Sequence, residues 1–471
     1  MSHRNTGNTE YRPLSLIVGA AFFMEQLDST IIAPAVPKMA AALAVSPLSL
    51  DLSMTVYLLC SVIFIPLGGY LSERFGTRTI FKTSLLIFVV SSALCGLSTS
   101  LPALIAARAI QGMSGALIVP VGRMVIVRTT PRASLVMALA WMITPAMLGP
   151  LLGPPLGGII STYLSWRWIF LVNIPVGMAG YLLATRYVPQ IIETTRDALN
   201  LKEWSFLSVA LATLVTTLEC ARHADIPLYW YVPLLLLLGL AVRGYLWQAR
   251  RSKKPLLDFG LLRIQTFNTS FWAGALVRVG YGALPFLLPL LLQIGLGFSA
   301  IASGGILLAS GAVAFLTKTQ TAAMLRRFGF RSVLVLNGVL CAAALAVCAF
   351  FRVDWGLPLM AIVVSAGGLS RSIQFNALAA IAYADLPQEK IAPATTLNTA
   401  VQQLAVMLGI SISVVVVEFS SRLAHSPQPA PLDFTYAFLV VGLIALASVP
   451  FCLKLHADAG TELSGRRMAS Q

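Results

Sequence analysis

Charge is what this sequence lacks most. Only 11% of its 471 residues are Asp, Glu, Lys or Arg, against roughly 25% in an ordinary soluble domain. So few charges cannot cover a water-exposed surface, and with 57% hydrophobic residues and a mean hydropathy of +0.82 the apolar excess must face lipid. Histidine is as scarce: His3, His223, His425 and His456 fall in loops or tails, with no HxxxH spacing, which argues against zinc. The six cysteines, Cys60, Cys95, Cys220, Cys341, Cys348 and Cys452, lie in or beside apolar runs and form no CxxC. They are expected as small buried hydrophobes rather than disulfides or metal ligands. No GxxxxGK[ST] is present, so ATP is not the expected energy source. Nor is there a nucleophile elbow or cofactor motif, which leaves a membrane enzyme the weakest reading.

What is present is a series of long apolar runs. A spanning helix needs about 20 mostly apolar residues. Such stretches lie near 13–36, 50–71, 79–98, 102–126, 135–160, 166–187, 204–220, 228–248, 267–292, 300–324, 331–351, 356–381, 394–420 and 433–454. About fourteen transmembrane helices are therefore expected. Met1 to Arg12 is polar and runs into the first of them without a small-residue cleavage site, so that helix is expected to be retained. The net charge of +15 resolves as topology rather than nucleic-acid binding, because no polar domain is long enough to carry a basic face. One side of the membrane receives only Lys38, Arg167, Arg222, Arg352 and Arg422, while Arg108, Arg123, Arg278, Lys318 and Arg371 lie within helices. All other Lys and Arg fall on the side of the two termini, which the positive-inside rule makes cytoplasmic.

The chain also echoes itself. Glu73-Arg74-Phe75-Gly76-Thr77-Arg78 follows the second span and Arg326-Arg327-Phe328-Gly329-Phe330-Arg331 the tenth. If spans seven and eight are an insertion, these are equivalent positions in two six-helix bundles, a transporter architecture. The expected division is an N-terminal bundle at 1–188, two linker helices at 189–265 and a C-terminal bundle at 266–471.

Four features carry chemistry. In the loop after span two, an acid at a helix C-terminus opposes the macrodipole unless cations stand beside it, and Glu73 has Arg74 and Arg78 for neighbours. Such a cluster can lock helix ends in one state and release them in another, or simply anchor the loop inside. Span four carries Arg108 and Gln111, and a charge within a membrane helix is costly enough to be a functional candidate. Span one carries Glu25 and Asp28, three apart and on one face. Asp28 and Arg108 lie roughly 12 and 9 Å from the outer ends of their helices, so either acid can meet the guanidinium, as a proton-coupling device or as a structural ion pair. In span five Gly149, Gly153 and Gly157 recur every fourth residue among Pro150, Pro154 and Gly158, a smooth stripe for close helix contact in a helix bent by proline. In the second half Arg278, Arg371 and Lys318 are intramembrane cations without a mid-helix acid, able to line a route for an anionic group or to pair with the acids of span one. Glu219 and Glu418 lie near outer helix ends and are expected to be solvated, whereas snorkelling accounts for Arg123.

These stretches resemble the major facilitator superfamily. Gly69 to Arg78 resembles its loop 2–3 signature, with Glu73 where Asp is usual; Arg108 to Ala116 resembles its helix-4 motif and Gly149 to Gly158 its antiporter motif. Leu27 to Pro37, Trp166 to Gly177 and Pro289 to Ser299 are similar to the fourteen-helix drug:proton antiporters of the EmrB/QacA type. The similarity runs from about 13 to 455, with two departures: Ala33 replaces an Asn usual in helix 1, and Glu25 adds an acid where Gln is commoner. The resemblance implies a proton-driven exporter of small amphipathic compounds, a multi-pass monomer of the bacterial inner membrane. It would use the proton gradient and no cofactor. Glu25, Asp28 and Arg108 would couple protons, and Tyr57, Gln111, Arg278, Gln293 and Arg371 would line the substrate cavity. The glycine face of helix 5 would seal the interface between the bundles. A dedicated exporter of one metabolite or anion is the alternative, and a transport-dead sensor or scaffold the reading from another class.

Overall fold

The computed structural model describes residues 11–192, 200–222, 226–252, 255–317, 320–426, 428–456 and 458–461, and among them it is helical without a strand. In lipid this is what the backbone requires, since only a helix satisfies its own N–H and C=O groups along a single span. Thirteen helical stretches among the described residues are long and apolar enough to cross a membrane, and one shorter apolar helix, Ala300–Leu316, joins them.

The chain divides into two units, Met1–Leu201 and Lys202–Gln471. The first holds α1 (Tyr11–Ile31), α2 (Asp51–Phe64), α3 (Thr77–Leu97), α4 (Leu101–Thr129), α5 (Arg132–Tyr163) and α6 (Asn173–Tyr187). The second holds α7 (Leu201–Cys220, from its second residue), α8 (Tyr231–Arg251), α9 (Gln265–Leu290), α10 (Ala300–Leu316), α11 (Gln320–Cys348), α12 (Gly356–Ile381), α13 (Ile391–Leu423) and α14 (Pro431–Leu446).

Bare glycine faces set the packing of the first unit. A Cβ at Gly149 would lie 2.7 Å from Gln26 Cβ and 2.8 Å from Leu27 N. One at Gly153 would run into the Thr30 hydroxyl, and one at Gly157 into the Ile31 carbonyl. The stripe on α5 thus lies against α1, within the same unit, and its contacts are with the segment that carries Glu25 and Asp28. This is the close helix approach the spacing predicts; the face expected to seal a bundle interface has α1 as its partner. Replacing Gly157 with Ala is expected to cost about 1–3 kcal/mol through overpacking. Gly239→Ala on α8, where nothing lies within 4 Å of the added methyl, should be neutral. Melting temperatures of the purified full chain in detergent compare the two, and equal values would show that the contact is slack.

The internal echo has a backbone counterpart. Helix Leu67–Phe75 continues α2 beyond Pro66, and Gly76 (φ 88°, ψ 147°) turns the chain into α3. In the second unit a helix begins at Gln320 and runs to Phe328, past the loop expected after residue 324. It turns at Gly329 (φ 78°, ψ 164°), inside Gln320–Cys348. Both glycines follow an Arg-Phe pair and occupy a region that side chains rarely tolerate. The turn in the first unit is stitched to the chain leaving α6: Thr77 Oγ1 donates to Pro189 O at 2.9 Å, and Gln190 Nε2 to Phe75 O at 3.1 Å.

In the second unit α8 exposes Leu235, Leu236, Leu240 and Trp247, as a lipid-facing helix does. The end of α7 is fastened to α13 by Arg222, which reaches Glu219 Oε2 at 2.8 Å and Glu418 Oε1 and Oε2 at 2.7 and 3.1 Å. Glu219 and Glu418, expected in solvent, are therefore engaged in an ion cluster around a guanidinium only 4% exposed. The planar fork of arginine donates to two carboxylates at once, which hydropathy along the chain cannot register.

Candidate functional site

The centre of the first unit is a polar network in a bundle that is otherwise apolar. Helical spacing puts Glu25 and Asp28 one turn apart on α1, and both are buried, Asp28 completely. Arg108, on α4, donates from Nη1 to Asp28 Oδ2 at 2.5 Å and to Gln111 Oε1 at 2.7 Å. Gln111 returns its amide to Asp28 Oδ1 at 2.9 Å and to Ser92 Oγ at 2.7 Å, and Asn173 Nδ2 reaches the same Asp28 oxygen at 2.7 Å. Arg108 also lies over the Tyr57 ring, 4.1 Å from its centroid. Asp28 is therefore held by a guanidinium and two amides drawn from α4 and α6, and the ion pair is satisfied on nearly every side, the condition a buried pair must meet.

Glu25 is held differently. Tyr57 donates its hydroxyl to Oε1 at 3.3 Å and Gln26 its amide to Oε2 at 3.0 Å, both neutral donors. The two acids lie in one buried neighbourhood, yet the guanidinium pairs with Asp28 and not with Glu25. A proton can arrive on Glu25 without breaking an ion pair, whereas on Asp28 it would displace Arg108.

Two network members were missed by residue-level reading: Asn173 and Ser92. Asn173 lies in the quoted Trp166 to Gly177 stretch, and a buried amide inside an apolar helix was the available signal. Asn173→Ala removes one donor from Asp28 and is expected to cost about 1–3 kcal/mol. The check is thermal unfolding beside Asn173→Ser; an unchanged melting temperature for the alanine variant would count against a positioning role.

The other expected site residues lie elsewhere. Glu73 faces Arg128, at the end of α4, at 4.0 Å. Arg74 donates to Tyr70 Oη at 2.7 Å, and Arg78 to Val188 O. Pro154 and Gly158 are buried in α5 and Pro150 is exposed. Of the residues expected to line a cavity, Gln111 is wholly buried and engaged with Asp28, Arg108 and Ser92, and Tyr57 links Glu25 to Arg108. In the second unit Gln293 donates to Ser303 Oγ at 3.0 Å, Arg278 to Gly274 O at 3.2 Å, and Arg371 lies 5.8 Å from the Tyr281 ring. Lys318 lies outside the described residues. Among the described residues no cluster of His, Cys, Asp and Glu could hold a metal ion.

A polytopic helical protein with a repeated turn and a carboxylate–guanidinium network buried in its spans is built as a membrane carrier. The chain belongs to the Major Facilitator Superfamily, whose family model matches residues 18–410. It is 31% identical over 453 residues to a protein of Klebsiella pneumoniae strain 342 named as multidrug resistance protein MdtD, covering 96% of each chain. The MdtD of Pectobacterium atrosepticum is 34% identical over 441 residues, which is 92% of this chain and 94% of that one. Among solved structures, a D-xylose-proton symporter matches with a TM-score of 0.66 at 15% identity, over 94% of this chain and 97% of its own. A POT family transporter matches with a TM-score of 0.68, also at 15% identity, over 93% and 95%. At that identity the likeness is one of fold.

Proposed function

We propose that this chain is a proton-coupled secondary exporter of small amphipathic compounds, an antiporter that works by alternating access and not an enzyme. The family and the near full-length likeness to proteins named for multidrug resistance support it. The observation that carries the coupling is the contrast within α1: Asp28 locked by Arg108, Gln111 and Asn173, and Glu25 held one turn away by neutral donors alone. Glu25 takes the proton, and the Asp28–Arg108 pair holds α1 to α4 while it does so. The energy comes from the proton gradient, with no cofactor. The chain lies in the bacterial inner membrane as a monomer with both termini in the cytoplasm, as its Lys and Arg distribution favours. Its parts are two bundles, 1–188 and 266–471, joined by the linker helices of 189–265.

The test is a panel of toxic amphiphiles on cells with and without the chain. Expression is expected to raise the inhibitory concentration of some compounds by about tenfold, a free-energy difference of about 1.4 kcal/mol in the steady-state distribution. A proton uncoupler should erase that difference; resistance that persists under the uncoupler refutes proton coupling.

A further inference from the structure

The two units can be aligned residue by residue through the contacts of their own glycines. On α5 Gly149 packs on Gln26, and on α13 Gly409 packs on the Val279 carbonyl, each glycine ending a Met-Leu-Gly run. Val279 is therefore the equivalent of Gln26, so Arg278 stands where Glu25 does and Tyr281 where Asp28 does. On α4 Gly112 packs on the Tyr57 carbonyl, and on α12 Gly368 packs on that of Ser310. Three residues further along, Arg371 stands where Gly115 does. In the first unit these positions touch: a Cβ at Gly115 would lie 3.6 Å from Glu25 Cγ. The second unit has thus replaced a carboxylate and a glycine, on facing helices, with two arginines.

Among the described residues of that unit no acid balances them. Neither α9 nor α12 contains an Asp or Glu, and among the described residues neither guanidinium has a carboxylate partner. Arg278 meets one backbone carbonyl, that of Gly274, and lies 4.5 Å from the Phe375 ring centroid; Arg371 lies 5.8 Å from that of Tyr281. The two rings stand edge to face, 6.4 Å apart, and each lies beside one of the cations. Arg278 is buried to 8% exposure, so lipid does not solvate it. Where Asp28 takes up Arg108 in the first unit, Tyr281 turns its hydroxyl to the Gly367 and Cys341 carbonyls. Two like charges within spans, met by aromatic faces and a single backbone carbonyl, call for an anion from outside the unit. A guanidinium binds a planar carboxylate in two-pronged fashion, and the flanking rings suit an apolar body attached to it.

We infer that Arg278 and Arg371, with Tyr281 and Phe375, form a subsite for the carboxylate of an amphipathic organic anion. The inference deepens the export reading by naming the charge of the cargo, and rests on that reading for the anion being cargo.

Equilibrium binding separates the two, because it needs no gradient. The probes are 2-naphthoate, 2-naphthamide and 2-naphthylmethylamine, titrated by calorimetry into the purified full chain in neutral detergent. Naphthoate is expected to bind about tenfold more tightly than the amide. Arg278→Gln and Arg371→Gln should each remove that preference, while Arg371→Lys keeps part of it. Loss of an unbalanced buried charge should leave the melting temperature of the glutamine variants unchanged or higher, whereas a merely structural arginine would lower it. Naphthoate binding that is absent, no tighter than the amide, or untouched by both glutamine variants overturns the subsite. So does competition by phosphatidylglycerol added to the micelles, which would make the anion a lipid headgroup. Naphthoate binding without gradient-driven movement in vesicles would sink the exporter and leave the subsite standing.

Discussion

Glu25→Gln is expected to reduce gradient-driven transport to the level of protein-free vesicles while exchange of labelled for unlabelled substrate continues. Glutamine keeps the size of the side chain and can still accept from the Tyr57 hydroxyl, which lies 3.3 Å from Oε1 in the native site. What it cannot do is gain and lose a proton. Alternating access in the substrate-loaded form therefore survives, and the link to the gradient does not. Proteoliposomes with a pH-sensitive dye inside give the decisive comparison: substrate addition should release protons from the native chain and none from the variant. Proton release equal to the native value would move the coupling role away from Glu25. Loss of both exchange and proton release would mean that the residue is needed for the fold or the cycle rather than for coupling.

The second large effect concerns stability. Asp28→Asn leaves the Arg108 guanidinium, 1% exposed, without its counter-charge. Breaking a buried pair from one side costs about 3–5 kcal/mol, because the remaining ion is stranded in a medium that cannot solvate it. Arg108→Gln should cost a similar amount by stranding Asp28. The double variant Asp28→Asn/Arg108→Gln strands neither and should recover most of the loss. Unfolding of the three purified chains in detergent forms a double-mutant cycle, and strict additivity of the two single losses would contradict the pairing. The Asn173→Ala loss belongs to the same network and should be smaller in the double variant.

Much of this arrangement is legible along the chain, for a physical reason. Lipid forces every span to be long, apolar and helical, so hydropathy finds the spans. It also makes intramembrane charges rare enough that Glu25, Asp28 and Arg108 stand out on composition alone. The partner choice within that trio is another matter. Glu25 and Asp28 share a face, and helical geometry allows either to meet Arg108; the decision belongs to Gln111 and Asn173, which approach Asp28 from α4 and α6. Chain spacing carries no information about where a third helix arrives. The same limit hid Arg222, which ties Glu219, one turn away, to Glu418 across a long sequence separation. Likeness of wording can also mislead: Arg371-Ser-Ile-Gln374 spells almost as Arg108-Ala-Ile-Gln111 does, yet the glycine contacts set it two turns further along its helix.

The seam between α1 and α5 has a mechanical consequence. Gly149, Gly153 and Gly157 bring the α5 backbone against α1 from Gln26 to Ile31, where it meets peptide groups and the short, close-in atoms of Gln26 Cβ and the Thr30 hydroxyl. Such a joint resists sliding by small steps, because each notch is filled by α1 atoms at or next to its backbone. Any stroke that tilts α5 must take the acidic stretch of α1 with it, so the proton-bearing carboxylate travels as cargo on a rigid two-helix lever.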